Sequence, residues 1–199
     1  MDISLDTTVP CLDGAGGRSS YILLNPSTKI VTHLVIVEKK APHCERLVPI
    51  HWIKATTPEL VLLDCTRDRL SSLDQFVVTE FLQLEVPDRY SVVYPYIVSG
   101  QINKPKKTIS IEVENIPFEE VAVRHGARIE ACNGPIGVLE AVQIDPADGR
   151  LTQLRLRIGP NWEPHVVTVQ AAEIERIEER TIYLKLTKAD IIDLTAEVM

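Results

Sequence analysis

Asn25–Leu34 reads NPSTKIVTHL, and Asp145–Leu154 reads DPADGRLTQL. Each stretch opens with an amide or acid followed by proline, turns through small polar residues, and enters an apolar run with a Thr two positions before a Leu. Placing Asn25 over Asp145, 120 residues on, aligns Ile30-Val31-Thr32-x-Leu34 with Arg150-Leu151-Thr152-x-Leu154. Upstream, Asp13-Gly14-x-x-Gly17 meets Asn133-Gly134-x-x-Gly137, and Ile22 and Leu24 meet Val142 and Ile144. Downstream, RLVPI (Arg46–Ile50) meets HVVTV (His165–Val169), and LLDCTRDRLSSL meets YLKLTKADIIDL, with Thr66 over Thr187 and Leu70 over Ile191. Four blocks in one order at similar spacing mark a duplicated domain of about 75 residues.

Each block has a physical reason. Asp-Gly and Asn-Gly supply the positive φ of a tight hairpin turn. Asn-Pro and Asp-Pro start a second turn, where proline fixes φ and the preceding side chain bonds a downstream NH. In the strand that follows, Leu154, Leu156 and Ile158 alternate with Gln153, Arg155 and Arg157, the period of a half-buried strand. The last block changes period: Thr66 and Thr187 read as helix N-caps with Asp68 and Asp190 in the first turn. The expected architecture is all-β, two small barrels each ending in a short helix, because closure removes the exposed edges of a small sheet.

These blocks resemble the PRC-barrel family. The first repeat carries the resemblance in DGAGGRSSYILLNPSTKIVTHLVIV, RLVPIHWI and LVLLDCTRDRL, and the second in NGPIGVLEAVQIDPADGRLTQLRL and VVTVQAAEIERIEERTIYLKLTKADI. Together they cover about three quarters of the chain. PRC-barrels form the cytoplasmic domain of the photosynthetic reaction-centre H subunit and the C-terminal domain of a ribosome maturation factor, and also occur as stand-alone prokaryotic proteins. The resemblance implies a module that docks on other macromolecules, and it brings no catalytic residues to transfer. The expected division is a first barrel over 1–77, an ordered connector over 78–122 and a second barrel over 123–199.

The connector carries its own strand signals. Ile109, Ile111 and Val113 alternate with polar residues in TISIEVENI, and VTEFLQLEV reads as a second strand. Such segments are expected to pack against a barrel or brace the two. The basic cluster Lys104–Lys107 (KPKK) reads as a solvated turn.

The repeats differ on one face. Gln153, Arg155 and Arg157 stand where the first repeat has His33, Val35 and Val37. An apolar second face needs a cover, whether the connector, the other barrel or a partner subunit. His33, Val35 and Val37 are therefore candidate partner-contact residues, joined by Trp162 in the turn GPNWEP and by Tyr94 and Tyr96 in VYPY.

Other chemistry finds less support. His33, His43, Cys44 and His51 invite a metal site, but adjacent His43 and Cys44 would point to opposite faces of a strand, and no metal or cofactor is expected. Cys65 precedes a helix start without an identifiable base and reads as a packing residue. Asp64 and Asp68 are no catalytic pair: Asp64 falls over Lys185, and an acid in a first helical turn is electrostatically welcome. The glycine-rich DGAGG is a strand turn, as its counterpart NGPIG indicates, rather than a nucleotide loop.

With 21 basic and 28 acidic residues the chain carries a net charge of −7, which weighs against nucleic acid as a partner. MDISLDTTVP has no basic and apolar leader pattern, no apolar run reaches membrane-span length, and the four cysteines show no CxxC spacing. A cytoplasmic protein with reduced thiols is expected. The leading expectation is a non-enzymatic scaffold or adaptor that binds another protein or assembly, or its own copies as a homo-oligomer. A ribosome or RNA-assembly factor is the alternative and requires a local basic patch. A small-molecule or metal-binding protein requires a pocket between the barrels.

Overall fold

The computed structural model describes residues 1–85, 106–159 and 164–196, most of them in strands. The first repeat supplies β1 (Asp2–Ser4), β2 (Thr8–Cys11), β3 (Gly14–Asn25), β4 (Ile30–Glu38), β5 (Glu45–Pro49), β6 (Ile53–Thr57) and β7 (Leu60–Leu63), then α1 (Arg67–Ser71). A hairpin of β8 (Val77–Glu85) and β9 (Lys106–Glu114) follows. The second repeat supplies β10 (Val121–Arg124), β11 (Arg128–Ala131), β12 (Gly134–Ile144), β13 (Leu151–Ile158), β14 (His165–Gln170), β15 (Ile174–Ile177) and β16 (Thr181–Leu184), then α2 (Lys188–Ala196). Single 3-10 turns at Ile50–Trp52 and Ala171–Glu173 stand at matching places. The fold is all-β with a short helix closing each repeat, and no helix among the described residues is long and apolar enough to cross a membrane.

The turns form as their side chains dictate. Asn25 Oδ1 accepts from the NH groups of Ser27 and Thr28, both at 3.0 Å, and Asp145 Oδ1 accepts from Ala147 NH at 2.9 Å. Asp13 and Asn133 work twice: each precedes a positive-φ glycine, and its Oδ1 accepts the first NH of the closing helix. Those bonds are Arg67 NH to Asp13 at 2.9 Å and Lys188 NH to Asn133 at 3.0 Å. Thr66 Oγ1 accepts from Arg69 NH, and Thr187 Oγ1 from Asp190 NH, completing the two N-caps.

Strand order is β5-β4-β3-β2-β7-β6 in one sheet and β14-β13-β12-β11-β16-β15 in the other. In each, the long third strand of the repeat (β3 or β12) pairs with its predecessor through its first half and with its successor along its length, shifting register at a bulge. The sheets therefore curl around apolar interiors.

Each sheet is completed by a strand from the other repeat. β1 pairs with β12, setting Ile3 opposite Val142, and β10 pairs with β3, setting Val123 opposite Ile22. Ile3 and Val123 occupy equivalent places, as do Ile22 and Val142, so the exchange is reciprocal. All four are at most 1% exposed and belong to a core shared by both repeats. Burying Ile3 or Val123 stabilises the fold by about 1.5–3 kcal/mol each, which is gained only when the other repeat is folded.

The hydrogen bonds correct one block of the sequence alignment. Leu34 faces Val48, and its equivalent Leu154 faces Val169, so RLVPI lies over VTVQA (Val167–Ala171), two residues beyond HVVTV. A slip of two preserves which side chains point inward, so apolar alternation is the same in either register.

The chain divides into two compact units, Met1–Phe76 with Ile116–Met199, and Val77–Asn115. The second is the antiparallel hairpin, where both connector strands expected from sequence are found. Val78 faces Val113 and Glu80 faces Ile111, so Val78, Glu80, Ile109, Ile111 and Val113 share one face. Thr79, Phe81, Ser110 and Glu112 share the other.

Candidate functional site

The outer face of β3, β4 and β5 is apolar, as expected, and it is closed within the chain. Leu23, Val35 and Phe76 have no exposed surface, and Ala122 and Leu47 are 5% and 8% exposed. Phe76 covers this face, its ring centroid 5.2 Å from that of Tyr21, which stands opposite Val35. Two backbone bonds place it there: Leu47 NH donates to Asp74 C=O at 3.0 Å, and Phe76 NH donates to Glu45 C=O at 2.8 Å. Ala122 arrives on the exchanged β10, opposite Leu23. Of the three residues singled out from sequence, Val35 therefore offers nothing to a partner, while His33 and Val37 are half-buried. Tyr94, Tyr96 and Trp162 lie outside the described residues.

The same face of the second repeat is polar. Arg155, in the place of Val35, reaches Asp2 on the exchanged β1 at 2.6 Å, Ser4 Oγ at 3.0 Å and Glu140 at 3.9 Å. Its cationic side chain thus joins the repeats in an ion-pair network where the first repeat uses aromatic and aliphatic packing.

The candidate metal residues are dispersed. His33 Nδ1 lies 3.0 Å from Thr32 Oγ1 and 4.0 Å from Glu120 Oε2. Burial lowers the His33 pKa, opposed by the Glu120 carboxylate and reinforced by His51. His43 Nδ1 contacts the carbonyl of Glu38 at 3.0 Å instead. Among the described residues no three His, Cys, Asp or Glu side chains gather as a metal site would need. Cys65 is buried beside Cys11, and burial raises both thiols, Cys11 to about 12, so neither is a thiolate near neutral pH.

A cleft of about 760 Å³ lies at the edge of that apolar face. Its floor is β3 from Gly17 to Tyr21 with Val37 of β4, and Arg124 and His125 wall it from the exchanged β10 and the turn after it. Arg18 is held against Asp6, donating to its backbone carbonyl from Nε at 3.0 Å and Nη2 at 2.9 Å and pairing with its carboxylate. Glu38 is 6% exposed, paired with Arg46 at 3.4 Å, and accepts the Ser71 hydroxyl. Glu45 is engaged as well. Lys39 and Arg124 have no ion-pair partner among the described residues.

Sequence reasoning did not single out this cleft. Its residues come from distant stretches that converge only through the strand exchange. A trace does exist in the alignment: Arg18, Tyr21 and Glu38 stand over Val138, Ala141 and Ile158. The chain matches no protein family with which it was compared, and no curated protein matches it.

Proposed function

We propose that the chain is a non-enzymatic adaptor of the PRC-barrel type that binds another protein, with the β8–β9 hairpin as its docking arm. The observation that carries the reading is the cluster of exposed apolar side chains on one face of that hairpin. Val78, Ile111 and Val113 lie on it and remain 40%, 36% and 38% exposed. A two-stranded hairpin is at best marginally stable alone, and an apolar ribbon gains most when a partner covers it. The net charge of −7 agrees with protein binding rather than nucleic-acid binding. The PRC-barrel resemblance points the same way, toward docking on an assembly.

The test is affinity capture from the native host, comparing the chain with a Val78→Ser/Ile111→Ser/Val113→Ser variant. The adaptor reading predicts a specific protein retained by the native chain and lost with the variant, while both melt at the same temperature. Retention of the same proteins by both contradicts the arm's role.

A further inference from the structure

We propose that the cleft beside Tyr21 is a binding site for a small organic anion, its charged group held by Lys39 and Arg124 and its flat apolar body resting on Tyr21 and Val37. The residues that line this site all belong to the larger compact unit, and the proposal does not depend on the adaptor reading.

Three observations carry it. The volume, about 760 Å³, falls within the range of small-molecule pockets, and the lining sets the Tyr21 ring and the Val37 side chain among mostly polar and charged residues. The charges are arranged unevenly. Asp6 is paired with Arg18, Glu38 with Arg46 while also accepting the Ser71 hydroxyl, and Glu45 is engaged as well, whereas Lys39 and Arg124 have no ion-pair partner among the described residues of a chain of net charge −7. In such a chain an anion binds only where cations have been gathered locally. An aromatic floor beneath them favours an anion carried on a planar body over a bare ion.

The third observation is that the site does not follow from the fold alone. The second repeat has the same strands, yet Ala141 replaces Tyr21, Val138 replaces Arg18, and Ser4 stands where the first sheet has Arg124. One repeat keeps a cationic, aromatic cleft, and the other fills the equivalent positions with small or apolar side chains. Arg124 belongs to the second repeat and reaches the cleft only because β10 is exchanged, so both repeats build the site.

The test uses the full chain and three probes: 1-naphthyl phosphate, inorganic phosphate and 1-naphthol, titrated by calorimetry and followed by backbone amide NMR. The expected result is that 1-naphthyl phosphate binds at least about ten-fold more tightly than either of the others, with shifts centred on Ser20, Tyr21 and Lys39. Lys39→Ala/Arg124→Ala should weaken it by at least about ten-fold without changing the melting temperature, and Lys39→Arg/Arg124→Lys should restore most of the affinity. Equal binding of 1-naphthol, or an affinity unchanged in the alanine variant, overturns the proposal.

Discussion

Ile30 pairs across an antiparallel bridge with Arg150, the residue that occupies Ile30's own place in the second repeat. The flanking bonds mirror one another: Val31 NH donates to Gly149 C=O at 2.9 Å, and Leu151 NH donates to Lys29 C=O at 2.8 Å. A residue that meets its own counterpart lies on the twofold relating two copies. With the reciprocal exchange of β1 and β10, the bridge makes this chain an internal pseudo-dimer. The two turns whose sequences first reveal the repeat are the two turns that touch.

Gly17 and Gly137 make the symmetry testable at matching positions. A Cβ on Gly17 would run into the Val37 carbonyl, and one on Gly137 into the Arg157 carbonyl, both backbone groups of the neighbouring strand. Gly17→Ala and Gly137→Ala should each cost on the order of 3 kcal/mol or more, measured by urea unfolding. Loss at one position only would show that the two hairpins pack differently.

The tie made by Lys29 has no counterpart. Its Nζ donates to the carbonyls of Ala171 at 2.6 Å and Ile174 at 3.1 Å in the other repeat, while the equivalent position is Gly149. Burial lowers the Lys29 pKa, helped by Lys185 and opposed by Glu173. Lys29→Met keeps the stem and removes both bonds, and should destabilise the protein by about 1.5–3 kcal/mol. A cost below about 0.5 kcal/mol would mean that solvent replaces the bonds.

Moving the second repeat's charge into the first repeat should fail. Val35→Arg places a guanidinium beside Leu23, Leu47 and Phe76 without the Asp2 carboxylate that Arg155 enjoys, and should cost about 3–5 kcal/mol. The melting temperature reads this directly. Tolerance of the substitution would show that the Phe76 cover is loosely held.

His33 gives a pH dependence of known sign. Its folded-state pKa lies below the ordinary imidazole value of 6.5 because burial disfavours the imidazolium, so the unfolded chain binds more protons below that pH. The contribution is complete above about pH 6.5 and is lost as the pH falls from there through the folded-state value. Glu120, Thr32 and His51 are the groups that face or influence the ring. In His33→Gln this loss should be absent, so the stability difference from the native chain should be flat above pH 6.5 and change only below it.

What could be read from sequence follows from the range of the forces involved. The turns at Asn25, Asp145, Gly14 and Gly134 were legible because a side chain and a φ angle act within three residues, and the caps at Thr66 and Thr187 for the same reason. The strand alternation was legible, but its register at Arg46–Ile50 was not, because a two-residue slip leaves every side chain on its face. The exchange of β1 was invisible, since the tripeptide Asp2-Ile3-Ser4 carries no periodicity and its partner Val142 is remote. Phe76 was missed as the cover of Val35 because it lies outside the aligned blocks. The cleft was missed because Arg18, Lys39 and Arg124 share no local spacing.

The most direct test of the internal pseudo-dimer is a disulfide across its axis. Ile30 and Arg150 form a pair whose hydrogen bonds belong to their neighbours, a geometry that sets Cα atoms about 4.5 Å apart, within reach of a disulfide. In Ile30→Cys/Arg150→Cys, mild oxidation of the dilute monomer should give one intrachain crosslink between these positions, identified by mass spectrometry of the joined peptides, with cooperative unfolding retained. Free thiols at both positions, or crosslinks between chains only, would contradict the exchanged-strand arrangement.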